Sequence, residues 1–486
     1  MAAKSPKATP EQPNISRLPE VEPLPPMSPM ERVARGKAAL ARVPLAVHGT
    51  WRPSAHRPDP VALLQEQAAK RDAALVPLRY GRMVSSPFAF FRGGAGIMAA
   101  DLSTTRASGL RAQLCGDAHL ANFGIFDTPE RSHVFDINDF DETLPGPWEW
   151  DVKRLAASVE VAGRDLRFSV ADRRNAVQAG VRAYRERMGE LAELGNLEVW
   201  HSHLGADEVL ARVVDEGDPT LNKSIAKDVR KGLQRNHLTA FSKLTERVDG
   251  ELRFANRPPL LVPIDELLDL QGRRRYVHVI RTFLADYRES LPASHRSLID
   301  GYRYVHLARK VVGVGSVGTR AMVVLMIGRD DHDPLLLQLK EAKRSVLEPF
   351  VGMSVYKQKG QRVVEGQRLM QAASDPLLGW YRLKALDNKR HDFYVRQLWD
   401  GKASIDISKL SPVGLARYAE ACALTLARAH ARTGFRISIA AYLGESDEFD
   451  QAVAAFASTY ADLNEADHAA LSEAVVAGRV PVLTEG

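Results

Sequence analysis

The sequence lacks several features that assign a protein to a simple class. It has two cysteines in 486 residues, Cys115 and Cys422, too few for a disulfide framework and unfavourable for a cysteine-based zinc site. No apolar run reaches the roughly 18 residues that a membrane helix needs. Residues 1–30 also lack the apolar core of a signal peptide. These absences predict a cytoplasmic protein that has no membrane partner.

Features of a nucleic-acid binder are also sparse. The formal net charge of +6 and the pI near 9.2 invite that hypothesis. In the densest basic segment, residues 223–235, the cations recur at helical spacing with no aromatic residues between them. A single-strand binder interleaves aromatic side chains for base stacking. The segment is more typical of a solvated helix face, although it would also suit an anionic substrate.

The apolar pattern divides the chain into four parts. Residues 1–50 are predicted to be a mostly disordered, Pro-rich tail, because large apolar side chains are scarce there. Residues 51–300 carry a 3.6-residue apolar period and predict helices; a helix over residues 63–74 is expected to stop at Pro77. Residues 301–402 are rich in short apolar runs typical of strands. Residues 403–486 return to helical patterns.

The segment QLCGDAHLANFG holds the clearest chemical signal. Asp117 and Asn122 have the D-x-x-x-x-N spacing of a phosphotransferase catalytic loop. In that arrangement the Asp accepts a proton from the attacking hydroxyl, while the Asn reaches a magnesium ion. Downstream, the apolar strand of VFDINDFDE ends in clustered carboxylates, where Asp139 suits a second magnesium-holding position.

The clustered carboxylates need compensation. Four acidic residues within seven positions repel one another unless a cation or a basic group sits among them; they are Asp136, Asp139, Asp141 and Glu142. An alternative is a metallophosphoesterase, whose metal site also opens on Gly-Asp-x-His. Such enzymes need further Asp-rich and Asn-His blocks, and the sequence has no GNH segment.

A glycine loop and a lysine follow about 170 residues later. Gly313, Gly315 and Gly318 form G-x-G-x-x-G ahead of AMVVLMIG, which predicts a strand. A dinucleotide site would continue into a helix instead. Strand–glycine loop–strand is the kinase arrangement, in which the glycines cover phosphates. Lys340 ends the next apolar strand and requires a partner, for which Glu365 on a following helix is the candidate.

Several motifs together resemble a known family. SPFAFFRG, LCGDAHLANFG, FDINDFDETLPGPWEWDVKRLAAS, VGVGSVGTR, LQLKEA, RVVEGQRLMQAASDPLLGW and YVRQLWDGK are similar to the bacterial family DUF2252, over residues 60–440 or so. Its catalytic segment is in turn similar to the aminoglycoside phosphotransferase and choline kinase type of kinase fold. That likeness extends to Asp151 at a helix start. Arg92 of SPFAFFRG is left with two interpretations, a substrate contact or part of a core turn.

The resemblance implies an α+β, two-lobed protein-kinase-like fold in circularly permuted order. A large helical lobe (51–300 and 403–486) would carry the catalytic and metal loop at 115–142, with an insert over 165–300 shaping the acceptor pocket. A small β-rich nucleotide lobe (301–402) would carry the glycine loop. Joining the chain after residues 428–433 to a start near Leu114 restores the usual kinase order. Two departures are Cys115, where such loops carry His, and Asp141, where they carry Gly.

The sequence thus predicts a phosphotransferase that uses ATP and Mg²⁺ and acts on the hydroxyl of a small molecule or protein. Asp117 would be the base, with Asn122 and Asp139 on the metal. The three loop glycines would cover the phosphates, and Lys340, oriented by Glu365, would hold them. The alternatives are a catalytically inactive nucleotide-binding module and the metallophosphoesterase.

Overall fold

The protein has a mixed α+β fold, as predicted. The structure, a computed structural model, describes residues 27–213, 219–234, 237–311, 317–384, 389–398 and 402–483. The helices are α1 Pro29–Arg42, α2 Pro60–Ala68, α3 Val76–Val84, α4 Pro87–Gly93, α5 Ala95–Leu102, α6 Glu149–Asp165, α7 Val170–Glu193, α8 Asn196–His201, α9 Ala206–Val213, α10 Pro219–Leu233, α11 His237–Leu244, α12 Ile264–Leu267, α13 Leu270–Glu289, α14 Ala293–Asp300, α15 Glu348–Val351, α16 Lys359–Met370, α17 Pro412–Ala431, α18 Arg436–Leu443 and α19 Glu448–Val476.

The strands form one large sheet and three small ones. They are β1 Arg111–Leu114, β2 Phe123–Asp127, β3 His133–Ile137, β4 Leu144–Pro147, β5 Leu204–Gly205, β6 Thr245–Val248, β7 Glu251–Phe254, β8 Leu261–Pro263, β9 Arg303–Lys310, β10 Ala321–Ile327, β11 Pro334–Ala342, β12 Gly379–Lys384 and β13 Arg390–Gln397. The large sheet has the order β12-β13-β11-β10-β9-β8, and all its neighbours pair antiparallel.

The large sheet is buried on both faces. Helices α13 and α14 cover one face through an apolar cluster that includes Phe283, Tyr287 and Phe393. Helix α11 and strand β7 cover the other face through Ala240 and Phe254. Strand β11 is buried at all nine positions, so its sequence reads as an apolar run rather than an alternating one. We call the sheet with α11–α14 the sheet unit.

A second core is built around α6. Residues Glu149 to Gly163 are all buried, because α7, α17 and α19 pack around the helix and share one apolar cluster with β1–β3. The short strands β1 and β4 pair antiparallel, and so do β2 and β3. The loops after β1 and β3 therefore begin close to the start of α6. We call this assembly the helical unit.

Three sequence predictions differ from the structure. Residues 29–49 are helical, not a disordered tail, because Ser28 and Glu31 form a reciprocal capping box and Gly36 allows α1 to approach α18 closely; residues 1–26 lie outside the described residues. Pro77 begins helix α3 rather than ending one, since proline suits the first turn. Helices α13 and α14 pack on the sheet, so the predicted boundary at residue 300 lies too late.

Strands β9 and β10, which flank the glycine loop in the sequence, pair antiparallel. We call these two strands and the residues between them the glycine hairpin. Gly313 and Gly315 lie outside the described residues. Gly318 has a φ of +83°, a conformation that glycine adopts without strain. No helix among the described residues combines the length and apolar character needed to cross a membrane.

Candidate functional site

The loop after β1 is hydrogen-bonded to Asp151 in the first turn of α6. The buried Asp151 carboxylate accepts hydrogen bonds from the backbone N–H of Cys115, at 2.8 Å, and of Gly116, at 3.1 Å. His430 Nε2 of α17 lies 3.3 Å from the same carboxylate, and Tyr184 Oη lies 2.8 Å from His430 Nδ1. The backbone that leads to residue 117 is thus anchored to two central helices.

Asn122 connects the two loops that the sequence predicted to form one site. Its amide nitrogen donates to the backbone oxygens of Asp117 and Asp139, each at 3.0 Å. Its amide oxygen accepts from the backbone N–H of Asp139 at 2.8 Å. The side chain is buried. Asn122 and Asp139 are therefore neighbours, with the amide bound to the backbone of both loops.

The Asp117 carboxylate faces an arginine that sequence analysis missed. Arg154 Nε of α6 donates to Asp117 Oδ1 at 2.6 Å. The same guanidinium donates to the backbone oxygen of Phe91 at 3.0 Å and stacks over its ring at 4.5 Å. His119 Nε2 lies 3.8 Å from Asp117 Oδ2, and burial lowers the pKa of His119 to about 4. The imidazole is therefore neutral at pH 7.

Lys340 joins the sheet unit to this loop pair. Its ammonium, on buried strand β11, lies 3.0 Å from Asp139 Oδ2 and forms a second ion pair with Asp141. Tyr394 of β13 completes the group: its hydroxyl donates to Asp141 Oδ1 at 2.9 Å, and its ring centroid lies 5.8 Å from Lys340 Nζ. Lys340 is thus the cation beside Asp139 and Asp141, whereas Asp136 pairs with Arg428 of α17.

The charges in this group shift the pKa values of their neighbours. Burial lowers the pKa of Lys340, but the charges of Asp139 and Asp141 outweigh burial and raise this pKa above its ordinary value. Burial raises the pKa of Asp139, whereas the Lys340 charge lowers it, and the net shift is downward. Burial and the neighbouring Asp139 charge raise the pKa of Asp141. Ionised Lys340 and Asp139 are therefore the stable core of the group.

The structure does not place Glu365 against Lys340. Glu365 of α16 pairs with Arg368 at 3.2 Å, while the carboxylates on Lys340 come from the acidic loop. Helix α16 instead reaches this loop through Arg362, which is fully buried and donates to the backbone oxygens of Thr143 and Asp141, both at 2.7 Å. Distance along the sequence could not show that the acidic loop, rather than Glu365, supplies the carboxylates on Lys340.

The glycine hairpin packs against the segment before α3. Arg71 Nη1 donates to the backbone oxygen of Val317 at 2.7 Å, and the backbone N–H of Asp72 donates to that of Gly318 at 2.7 Å. A Cβ atom at Gly318 would lie 3.0 Å from Arg71 Cβ. Of the three predicted loop glycines, Gly318 is the one whose position is described, and it lies at this contact.

The end of α17 lies beside strand β1, which leads into the loop that carries Asp117. The backbone N–H of Gln113 in β1 donates to Thr433 Oγ1 at 3.0 Å. A Cβ atom at Gly434 would lie 2.9 Å from the backbone oxygen of Arg111. The two points at which the sequence predicts a join in a permuted chain, residues 428–433 and residue 114, are therefore neighbours in space.

The donors around Asp139 suit a metal ion that arrives with its ligand. Among the residues that the structure describes, no group of three or more His, Cys, Asp or Glu side chains could hold a metal. Asp139 and the Asn122 amide oxygen, which keeps one lone pair, offer oxygen donors of the kind that Mg²⁺ accepts when phosphates complete its shell.

Comparison with known proteins yields one match. No curated protein and no solved structure matches the chain. The family described as "uncharacterized protein conserved in bacteria (DUF2252)" matches residues 71–474, a span that contains every contact of the site described above. The chain therefore belongs to the bacterial family DUF2252.

Proposed function

We propose that the chain is an ATP- and Mg²⁺-dependent phosphotransferase of kinase-like, circularly permuted fold that acts on a small-molecule or protein hydroxyl. One observation carries the proposal. Lys340, behind the glycine hairpin, contacts Asp139 and Asp141, although 201 positions separate Lys340 from Asp139. This contact joins the two segments that a kinase would need in one site. Neither segment requires the other for its own secondary structure, so the contact supports a shared role.

Two further features support a permuted kinase. The chain runs from the catalytic-type loop to the glycine hairpin and Lys340, then to α16, β13 and α17, and the end of α17 touches β1 through Thr433 and Gln113. Circular permutation preserves a fold where such neighbours can be joined. The sheet unit and the helical unit would then be the small and large lobes.

The residues divide the work of phosphoryl transfer. Asp117 would accept the proton of the acceptor hydroxyl; Arg154 holds its Oδ1, and Oδ2 makes no hydrogen bond in the described part of the chain. Lys340 would hold the phosphates beneath the glycine hairpin. A bound Mg²⁺ would neutralise charge on the phosphates, and Asp139 and Asn122 would hold it. Positioning and charge stabilisation dominate this chemistry.

The glycine hairpin would cover the phosphates with its backbone. Gly318 supplies a left-handed conformation, and Gly313 and Gly315 fall in the segment between β9 and residue 317. Glu365 is not given the role of orienting Lys340 in this proposal, since Asp139 and Asp141 occupy that position.

A thermal-shift titration with ATP and Mg²⁺ tests the proposal. Wild-type protein should be stabilised, and Lys340→Ala and Asp139→Asn should both lose that response, whereas the control Lys359→Ala, at a partly exposed ion pair, should keep it. Circular dichroism of each variant establishes that it is folded. No response in wild type at millimolar nucleotide would refute nucleotide binding.

The Asp117→Asn variant separates transfer from binding. It should bind ATP like wild type and lose ADP formation in the presence of an acceptor. Saturable ATP binding with no turnover in wild type, across an acceptor screen, would favour the inactive nucleotide-binding module instead. Phosphate release that requires a transition metal and tolerates Lys340→Ala would favour the metallophosphoesterase.

A further inference from the structure

Three arginines lie on two helices that precede the loop of Asp117. Arg79 and Arg82 lie three residues apart in α3 and so share one helix face. Arg92 lies in the last turn of α4. The two helices are joined at this point, because Arg79 Nη2 donates to the backbone oxygen of Gly93 at 3.1 Å. We call these three residues the arginine cluster.

Two members of the arginine cluster lack counterions. Arg79 is 1% exposed, and its Nε and Nη1 atoms are buried without a hydrogen-bond partner. Arg92 Nε is also buried and unpartnered, and its guanidinium makes no ion pair within the described chain. A buried charge without a partner is costly. An anion at this place would remove that cost.

The nearest carboxylate does not neutralise the cluster. Burial lowers the pKa of Arg92, the opposite charge of Asp117 raises it, and the like charge of Arg82 lowers it further. Asp117 Oδ1 is already engaged by Arg154, so one carboxylate faces several guanidinium groups. The charge of Arg82 also acts on Lys310, the last residue of β9.

In helix α4 the phenylalanines pack in the core, and the arginine that follows them lies at the edge of the site. Phe90 and Phe91 are buried, each 2% exposed, and Phe91 stacks on Arg154. Arg92 follows them and is partly exposed. The SPFAFFRG segment therefore serves as a core turn through its phenylalanines and leaves Arg92 at the edge of the site.

We infer that the arginine cluster is a phosphate-binding subsite, separate from the nucleotide site, and that the acceptor is a hydroxyl compound carrying its own phosphate group. The first part stands on the buried guanidinium nitrogens of Arg79 and Arg92 that have no hydrogen-bond partner among the described residues; the second rests on the proposed function. Guanidinium groups match phosphate in charge and geometry. The nucleotide phosphates have their own cation in Lys340, on the other side of Asn122, whereas the cluster lies beside the proton-accepting Asp117.

Inorganic phosphate is the probe for this subsite. Melting temperatures are measured with phosphate and with potassium chloride at the same ionic strength, for wild type, Arg92→Gln, Lys340→Ala and the control Arg329→Gln. Arg329 is 79% exposed and lies on the turn after β10, so its loss changes the net charge equally. Because Arg92 makes no hydrogen bond to another residue that the structure describes, Arg92→Gln should fold as wild type does.

The subsite predicts a specific pattern of responses. Phosphate should raise the wild-type melting temperature by about 1–3 °C at roughly ten times its Kd. Arg92→Gln should weaken the apparent phosphate affinity at least about tenfold, while Arg329→Gln and Lys340→Ala keep it. The phosphate response should also persist at saturating ATP and Mg²⁺.

Two results would overturn the inference: no phosphate response in wild type beyond the salt control, or a response that ATP or Lys340→Ala abolishes, which would assign the arginines to the nucleotide. Failure of the proposed function would give a different experimental result. Loss of the ATP response with retention of the phosphate response would refute the kinase while leaving the anion subsite in place.

Discussion

Replacing Lys340 with methionine should destabilise the protein in a pH-dependent way. Methionine keeps the approximate length and burial of the side chain but removes the ammonium that pairs with both Asp139 and Asp141. Removing one partner of a buried ion pair costs about 3–5 kcal/mol. Because the side chains of Asp139 and Asp141 are 41% and 28% exposed, solvent screens part of this loss, and we expect about 2–4 kcal/mol at pH 8.

The pH dependence follows from the two carboxylates. Without Lys340, burial and mutual repulsion raise their pKa values above those of the unfolded chain. A carboxylate with a raised pKa contributes its full stability below its unfolded pKa and loses that contribution as pH rises through its folded value. The deficit of Lys340→Met relative to wild type should therefore be larger at pH 8 than at pH 5.

Urea denaturation at pH 5 and pH 8 measures this difference. Lys359→Met is the matched control, since it removes the same charge from a pair with Asp392 at 3.4 Å that is partly exposed; such a pair is worth at most about 1 kcal/mol. Adding Asp139→Asn to Lys340→Met should recover part of the loss. A deficit below about 1 kcal/mol at pH 8, or one equally large at pH 5, would refute the charge argument.

Two other carboxylates near the site give independent tests. Asp151→Asn should cost about 1–3 kcal/mol, because one backbone N–H of Cys115 or Gly116 loses its acceptor; urea denaturation beside the exposed control Asp207→Asn checks this. Burial raises the pKa of Glu142 to about 7, so its contribution to stability is complete below about pH 4.5 and is lost as pH rises through about 7. Glu142→Gln should therefore gain melting temperature over wild type at pH 8 and not at pH 4.5, whereas the exposed Glu473→Gln should not.

Local patterns predicted much of the secondary structure. Helices α6, α7 and α17 lie in stretches predicted to be helical, and β11 contains the apolar strand predicted ahead of Lys340, because each has an apolar pattern typical of its element. Pro77 shows the limit of such rules: proline ends helices and also begins them, and only the packing of α3 decides between the two outcomes.

The partners of the charged residues were less predictable. That Asp139 needs a cation follows from local repulsion, but the identity of Lys340 depends on the way that β11 meets the acidic loop. Arg154 lies 37 positions after Asp117, in a helix whose sequence marks it as buried, and no local signal pairs the two. Glu365 was chosen as the nearest acidic residue on α16, whereas the helix presents Arg362 to the loop.

The contact between Lys340 and Asp139 also has a consequence for biosynthesis. The ribosome makes Asp139 first and needs 201 more residues to reach Lys340, which takes about 10–40 s at usual elongation rates. Until then the acidic loop has no ammonium to neutralise it, and the nascent chain carries half a site. Completion of the charge group is therefore a late event in the synthesis of the chain.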